Sequence, residues 1–283
     1  VKPRSDAAHP NGHFYSPVVD SADILGRRAQ IWPAQPKILG IDFDDLGHQR
    51  ILDDWFPRHM PHYDYPEHLD ESPDHTQFFT RNSQFSWLDA RTLFVFLREL
   101  RPRRMIEVGS GYSSLLTADV NRRFLDRSLH FTCIEPYPRT FLRESLDGIS
   151  RLVIQRVERV DLEVYAELDA GDILFIDSSH VAKTGSDVNH LYFEVLPRLK
   201  PGVLVHIHDI FLPHDYPIEW VVAENRSWNE QYLMRALLMH SSAFEVVFGC
   251  SYAFHRFPDR VIRALAHPKG HGFGGGSFWL RRR

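Results

Sequence analysis

The chain has 283 residues, 43% hydrophobic and 25% charged, with a formal net charge of −4. This is the make-up of a soluble globular protein with one large domain, or one domain and an extension. It argues against a nucleic-acid partner, which needs a basic stripe, and no apolar run is long enough to cross a membrane. The two cysteines, Cys133 and Cys250, sit in apolar strand-like runs and are expected to be buried free thiols. The opening Val1-Lys2-Pro3-Arg4 lacks the basic-then-apolar pattern of a signal peptide, so a cytoplasmic enzyme is expected. Histidine is the compositional outlier, with 17 copies.

In chain order, residues 1–80 are rich in Pro, His, Asp and aromatics and read as an irregular cap or arm on a core, with residues 81–283 as the main domain. Within the arm, a strand or turn is expected at 38–42 and a short helix at 44–56, with Leu46, Ile51, Leu52 and Trp55 on one face. Its exposed aromatics leave a homo-oligomer open. Ser86 is placed to cap a helix over 87–100. Strands and helices then alternate: strands at 105–108, 130–135, 152–157, 172–177, 203–208, 244–250 and 278–280, and helices at 113–126, 138–146, 160–168, 187–199 and 227–241. That order predicts an α/β fold, a doubly wound Rossmann-like sheet of seven strands, with ligands at the carboxyl ends of its strands.

The sharpest local signal is Glu107-Val108-Gly109-Ser110-Gly111-Tyr112-Ser113-Ser114, between a strand and a helix. Glycines there permit a tight turn and let a ligand approach the backbone. Glu135 ends the next strand, where a carboxylate can accept both hydroxyls of a ribose. Glu158 follows the third strand, either gripping an adenine or lying on the surface. A second constellation gathers at the ends of strands four and five: Asp177 and His180, then His206, His208 and Asp209. His206 and His208 are two apart and share a strand face. Such a set serves as metal ligands, as a base for an acceptor hydroxyl, or as satisfied structural groups. The aromatic, proline-rich stretch from Asp209 to Pro217, leading to Trp220 and then Trp228-Asn229-Glu230, and Phe78, Phe79, Asn82 and Phe85 before the first core helix, are candidate covers for the site.

Glu107 before the glycines, Ile176-Asp177-Ser178-Ser179-His180, Leu196-Pro197-Arg198-Leu199-Lys200-Pro201-Gly202 and His206-Ile207-His208-Asp209 together resemble the class I S-adenosylmethionine (SAM)-dependent methyltransferase family over residues 80–283. The chain is especially similar to a bacterial subgroup with Ile-Asp-Ser-Ser-His after strand four and His-Ile-His-Asp after strand five. The resemblance implies SAM as cofactor, held by Gly109, Ser110, Gly111 and Glu135, with Glu107, Ser114 and Glu158 as further members of the site. It implies methyl transfer to a small-molecule acceptor, most naturally at oxygen, with Asp177, His180 and His208 as catalytic candidates. Metal-dependent O-methyltransferases are similar at Asp177 and Asp209, which makes a divalent metal on Asp177, His208 and Asp209 a further expectation, although His208 stands where those families have an oxygen ligand. The alternative is a SAM-binding module of this fold that transfers no methyl group.

Overall fold

The computed structural model describes residues 7–37, 39–69, 76–85, 87–265 and 275–283. The Ser86 cap, Ile38, the first six residues and residues 272–274 of the glycine-rich loop lie outside them. Seven strands form one sheet: β1 Arg104–Val108, β2 His130–Ile134, β3 Arg151–Val153, β4 Ile173–Ile176, β5 Leu204–Ile207, β6 Phe244–Gly249 and β7 Phe278–Arg282. Their spatial order is β3-β2-β1-β4-β5-β7-β6. The first five are parallel, and β7 runs antiparallel between β5 and β6. The expected doubly wound α/β fold is therefore observed.

The period of two along each strand sorts side chains between two cores. Met105, Phe131, Cys133, Phe175 and Trp279 pack on one face with the Trp87–Leu100 helix, while Ile106, Val108, Leu174, Ile176, Val205 and Ile207 pack on the other. Such near-continuous apolar strands are what a parallel sheet covered on both faces requires. Both cysteines are buried and free. Phe56, Leu52 and Tyr65 of the N-terminal segment join the first core. His48 fastens this segment to β6, its buried Nε2 accepting the Gly249 N–H at 2.9 Å.

Several elements depart from the sequence reading. Of the strand or turn expected at 38–42, no strand forms at residues 39–42, where the chain bends at Gly40 with φ 72°. The helix expected over 44–56 runs as three successive turns, Asp45–Arg50, Ile51–Trp55 and Phe56–His59, and Leu46 points to solvent, 78% exposed. The helix expected at 138–146 shrinks to Thr140–Arg143, followed by left-handed backbone at Ser145 and Gly148. Two helices unread in the sequence, Cys250–Arg256 and Pro258–Leu265, connect β6 to β7. Among the described residues no helix is long and apolar enough to cross a membrane.

Candidate active site

The turn after β1 and the ends of β4 and β5 open into one cavity of about 720 Å³. That is within the range of about 300–1,000 Å³ common for cofactor and small-molecule sites. Its lining includes Gly109, Ser110, Gly111, Glu135, Asp177, His208 and Asp209.

Gly109 adopts φ +79°, and a Cβ there would meet the Asp177 carbonyl oxygen at 1.9 Å, so only glycine fits. A Cβ on Gly111 would meet nothing within 4 Å, which leaves the backbone open on the cavity side. Glu135 steadies the turn: one carboxylate oxygen accepts the Ser110 N–H at 3.1 Å and the other the Tyr137 N–H at 2.7 Å. A carboxylate has about four lone-pair sites, so each oxygen retains capacity for a ligand hydroxyl. Ser114 and Glu107 lie underneath. Ser114 Oγ donates to Glu107 and accepts the Gly111 N–H at 3.0 Å. Both are fully buried and outside the cavity lining. The reason is strand alternation: Glu107 shares the face of Met105 and points into the first core, so this pair braces the turn from below. Burial pushes the Glu107 carboxyl up to about 7, against the pull of hydrogen bonds from Ser113, Ser114 and Cys133. Glu158 sits on a short 3₁₀ turn, also outside the lining.

At the other end, four carboxylates alternate with two imidazoles. His180 is buried, its Nδ1 2.9 Å from Glu230 and its Nε2 3.3 Å from Asp177 and 3.5 Å from Asp209. The Nδ1 of His208 lies 3.5 Å from Asp177 and 3.7 Å from Asp209, and its Nε2 3.6 Å from Asp89. Burial disfavours the charged rings, but the surrounding carboxylates overcome it: His180 rises to about 10 and His208 well above its ordinary value. Asp177 is drawn far below the carboxylate range because the two imidazoliums outweigh its burial. For Asp209 burial wins over the same two rings, and its carboxyl rises. His180 and Asp209 both hold left-handed backbone, φ 59° and 56°. Such strain costs on the order of 1–3 kcal/mol per residue and persists where the surroundings fix it.

His206 does not join this group. It is buried in the sheet, stacked on Phe175 with centroids 3.7 Å apart and hydrogen-bonded to Ser277 Oγ at 2.8 Å. Burial lowers its pKa well below the ordinary value, so it is neutral. The expected metal site is not supported either. Among the described residues no three His, Cys, Asp or Glu side chains are placed to hold one ion. The Nδ1 of His208 faces the Asp177 and Asp209 carboxylates. The surrounding carboxylates favour the protonated form of both rings, which weighs against the resting-base role that the sequence suggested.

Residues from outside the two sequence constellations complete the site. Asp89, on the Trp87–Leu100 helix, accepts the N–H groups of Gly276 and Ser277 at 3.1 and 2.7 Å and faces His208. Glu230 is fully buried, accepting from Ser178 Oγ at 2.7 Å and facing His180. An acid on the apolar stripe of a helix was the available signal for Asp89. Phe85, Trp220, Arg226 and Trp228 form a further wall of the cavity, with the Trp228 ring 4.4 Å from that of His180. Phe78 is buried in the first core, and Asn82 ties the turn before the helix by hydrogen bonds to Phe79 and Phe85.

Residues 106–210, from β1 through the end of β5, match the family described as methyltransferase domain. An uncharacterized protein of Archaeoglobus fulgidus is 34% identical over 170 residues, covering 56% of this chain and 73% of that protein. Among solved structures, an O-methyltransferase from Bacillus cereus in complex with SAH is similar at 16% identity and a TM-score of 0.36, covering 84% of this chain and 90% of its own. A precorrin-6y C5,15-methyltransferase from Geobacter metallireducens is similar at 16% identity and a TM-score of 0.40, covering 78% of this chain and 99% of its own. With its sheet order and the glycine turn after β1, the chain belongs to the class I SAM-dependent methyltransferase family.

Proposed function

We propose that this chain transfers the methyl group of SAM to an oxygen of a small-molecule acceptor, with Asp209 taking the proton. The observation that carries the reading is the single cavity that joins the Gly109–Gly111 turn to the Asp177–His208–Asp209 cluster. The turn and Glu135 suit the nucleoside end of the cofactor, with open backbone at Gly111 and free lone pairs on Glu135. Bound there, the cofactor supplies a sulfonium methyl that needs no further activation. What remains for the protein is alignment and a proton acceptor.

Asp209 suits the second task. Its carboxyl is raised by burial, which makes the carboxylate a stronger base, and its contacts to His180 and His208 are long, 3.5 and 3.7 Å. His180 and His208, already protonated, fix Asp177 and Asp209 rather than compete for the proton. Asp177, held ionised, places negative charge beside the cationic cofactor. Phe85, Trp220 and Trp228 give the same space an apolar wall.

Calorimetric titration with S-adenosylhomocysteine, followed by a methyl-transfer assay on hydroxylated acceptors, tests the reading. Nanomolar to micromolar binding that weakens about 10- to 100-fold in Glu135→Ala is expected, the worth of a charged hydrogen bond. Asp209→Asn should bind the product equally well and lose turnover. Failure of the wild-type protein to bind the product would end the methyltransferase reading; binding without turnover on any acceptor would favour the SAM-binding module.

A further inference from the structure

The segment after β5 presents one guanidinium to the acceptor side of the cavity, and its setting is unusual. Arg226 lies over two indoles at once, its guanidinium carbon 4.3 Å from the Trp220 ring centre and 4.7 Å from that of Trp228. The two rings meet edge to face, 5.4 Å apart. Its backbone is fixed as well: Arg226 N–H donates to the Trp220 carbonyl at 2.8 Å, and Asn225, a residue type that tolerates it, takes the left-handed turn before it at φ 53°. All three side chains line the cavity, and Trp228 touches the His180 ring at the reacting end. Arg226 is 33% exposed. A guanidinium held between aromatic faces has lost most of its rotamer freedom before any ligand arrives, so little further entropy is spent when it grips an oxyanion.

The site already holds an anion of the kind it would select. Arg226 donates to Glu224 through Nε and Nη2, both at 2.6 Å to one oxygen. Glu224 is 47% exposed and two residues away. A pair of this kind contributes about 0–1 kcal/mol, so a ligand carboxylate or phosphate in the less solvated cavity can displace it. Of the other cations lining the cavity among the described residues, Arg139 sits over Tyr112 on the side of the glycine turn and donates to Gln84, while His208, like His180 beside it, is engaged by carboxylates.

From this arrangement we infer that the acceptor is a small hydroxylated acid, whose carboxylate or phosphate is gripped by Arg226 between Trp220 and Trp228 while its hydroxyl reaches Asp209. The inference rests on the methyltransferase reading above and specifies its substrate class. Arg226 is here a specificity residue, and Glu224 a built-in occupant of the anion position.

The test uses the whole chain saturated with S-adenosylhomocysteine and matched probe pairs: 3,4-dihydroxybenzoate against catechol, and glycerol 3-phosphate against glycerol. Binding of the product alone is measured first, so that a failed cofactor site is recognised separately. With product bound, at least one anionic member should bind about tenfold or more tighter than its neutral partner. The pair that shows the preference distinguishes carboxylate from phosphate. Arg226→Gln should erase the preference and leave the affinity for S-adenosylhomocysteine unchanged. Glu224→Gln should strengthen the anionic probe a few-fold, a gain that a purely structural role for Arg226 would not give. Equal binding within both pairs, no binding of any probe, or a preference that survives Arg226→Gln would overturn the inference.

Discussion

Beyond β1 and β2 the cavity wall is backbone: Gly109, Ser110 and Gly111, with the amides of Ser110 and Tyr137 resting on Glu135. Beyond β4 and β5 it is side chain, with Asp177, Asp209, Asp89 and Glu230 interleaved with His180 and His208. Main-chain amides set by a glycine turn carry no net charge and change little with pH. A buried cluster of charges carries charge and responds to pH. The first wall depends on conformation and the second on charge balance, so the two should fail in different ways.

The largest expected effect lies in the charged wall. Glu230→Ala leaves the His180 imidazolium without its buried partner, and breaking such a pair costs about 3–5 kcal/mol. Denaturant unfolding should show this loss at pH 7. A loss under 1 kcal/mol would mean that the pair contributes little. In the backbone wall, Gly109→Ala should reduce affinity for S-adenosylhomocysteine about tenfold from the left-handed conformation alone. The contact with the Asp177 carbonyl adds to that. Unchanged affinity, measured by calorimetry, would show that the turn can rearrange.

Acid and base scans sharpen the contrast. His180 rises from its ordinary 6.5 to about 10 in the folded chain. Its contribution to stability is therefore complete below about pH 6.5 and fades as the pH climbs through 10. His180→Asn should flatten the unfolding free energy over that interval. Glu107 rises from 4.5 to about 7. The folded chain keeps this proton longer than the unfolded chain, so stability falls as pH rises from about 4.5 to 7 and then levels. Glu107→Gln should remove that smaller slope and leave the alkaline one intact. If both slopes vanished together, the two walls would be coupled.

The backbone wall was legible because its requirements are local. A glycine pair between a strand and a helix, and an acid at the end of the next strand, are written within short windows. Glu107 and Ser114 were recognised in the same window, yet strand alternation turns them inward, where they support the turn from below. The charged wall was legible only in part. Asp177, His180, His208 and Asp209 lie at strand ends and could be placed by topology. His206 follows the same alternation but sits one pleat deeper, between Phe175 and Trp279. Asp89 and Glu230 stand in the first turns of their helices, where an acid is common, so only the place of Asp89 on an apolar stripe marks it locally. Only the packing of those helices against β4, β5 and β7 directs them at the imidazoles. The Pro258–Leu265 helix was missed for a related reason: its short buried stripe is Val261 and Ala264, too sparse to stand out.

The place of β7 between β5 and β6 has a consequence for synthesis. Gly276 and Ser277, at its entrance, supply the N–H groups that hold Asp89 against His208, and the Gly276 carbonyl accepts from Ile210 just beyond Asp209. On the ribosome these residues emerge after every other part of the cavity wall. The glycine turn and Glu135 can be in place while β5 still presents a bare edge. A nascent chain therefore acquires its nucleoside-facing wall first, and the charged wall is completed when the last strand threads home.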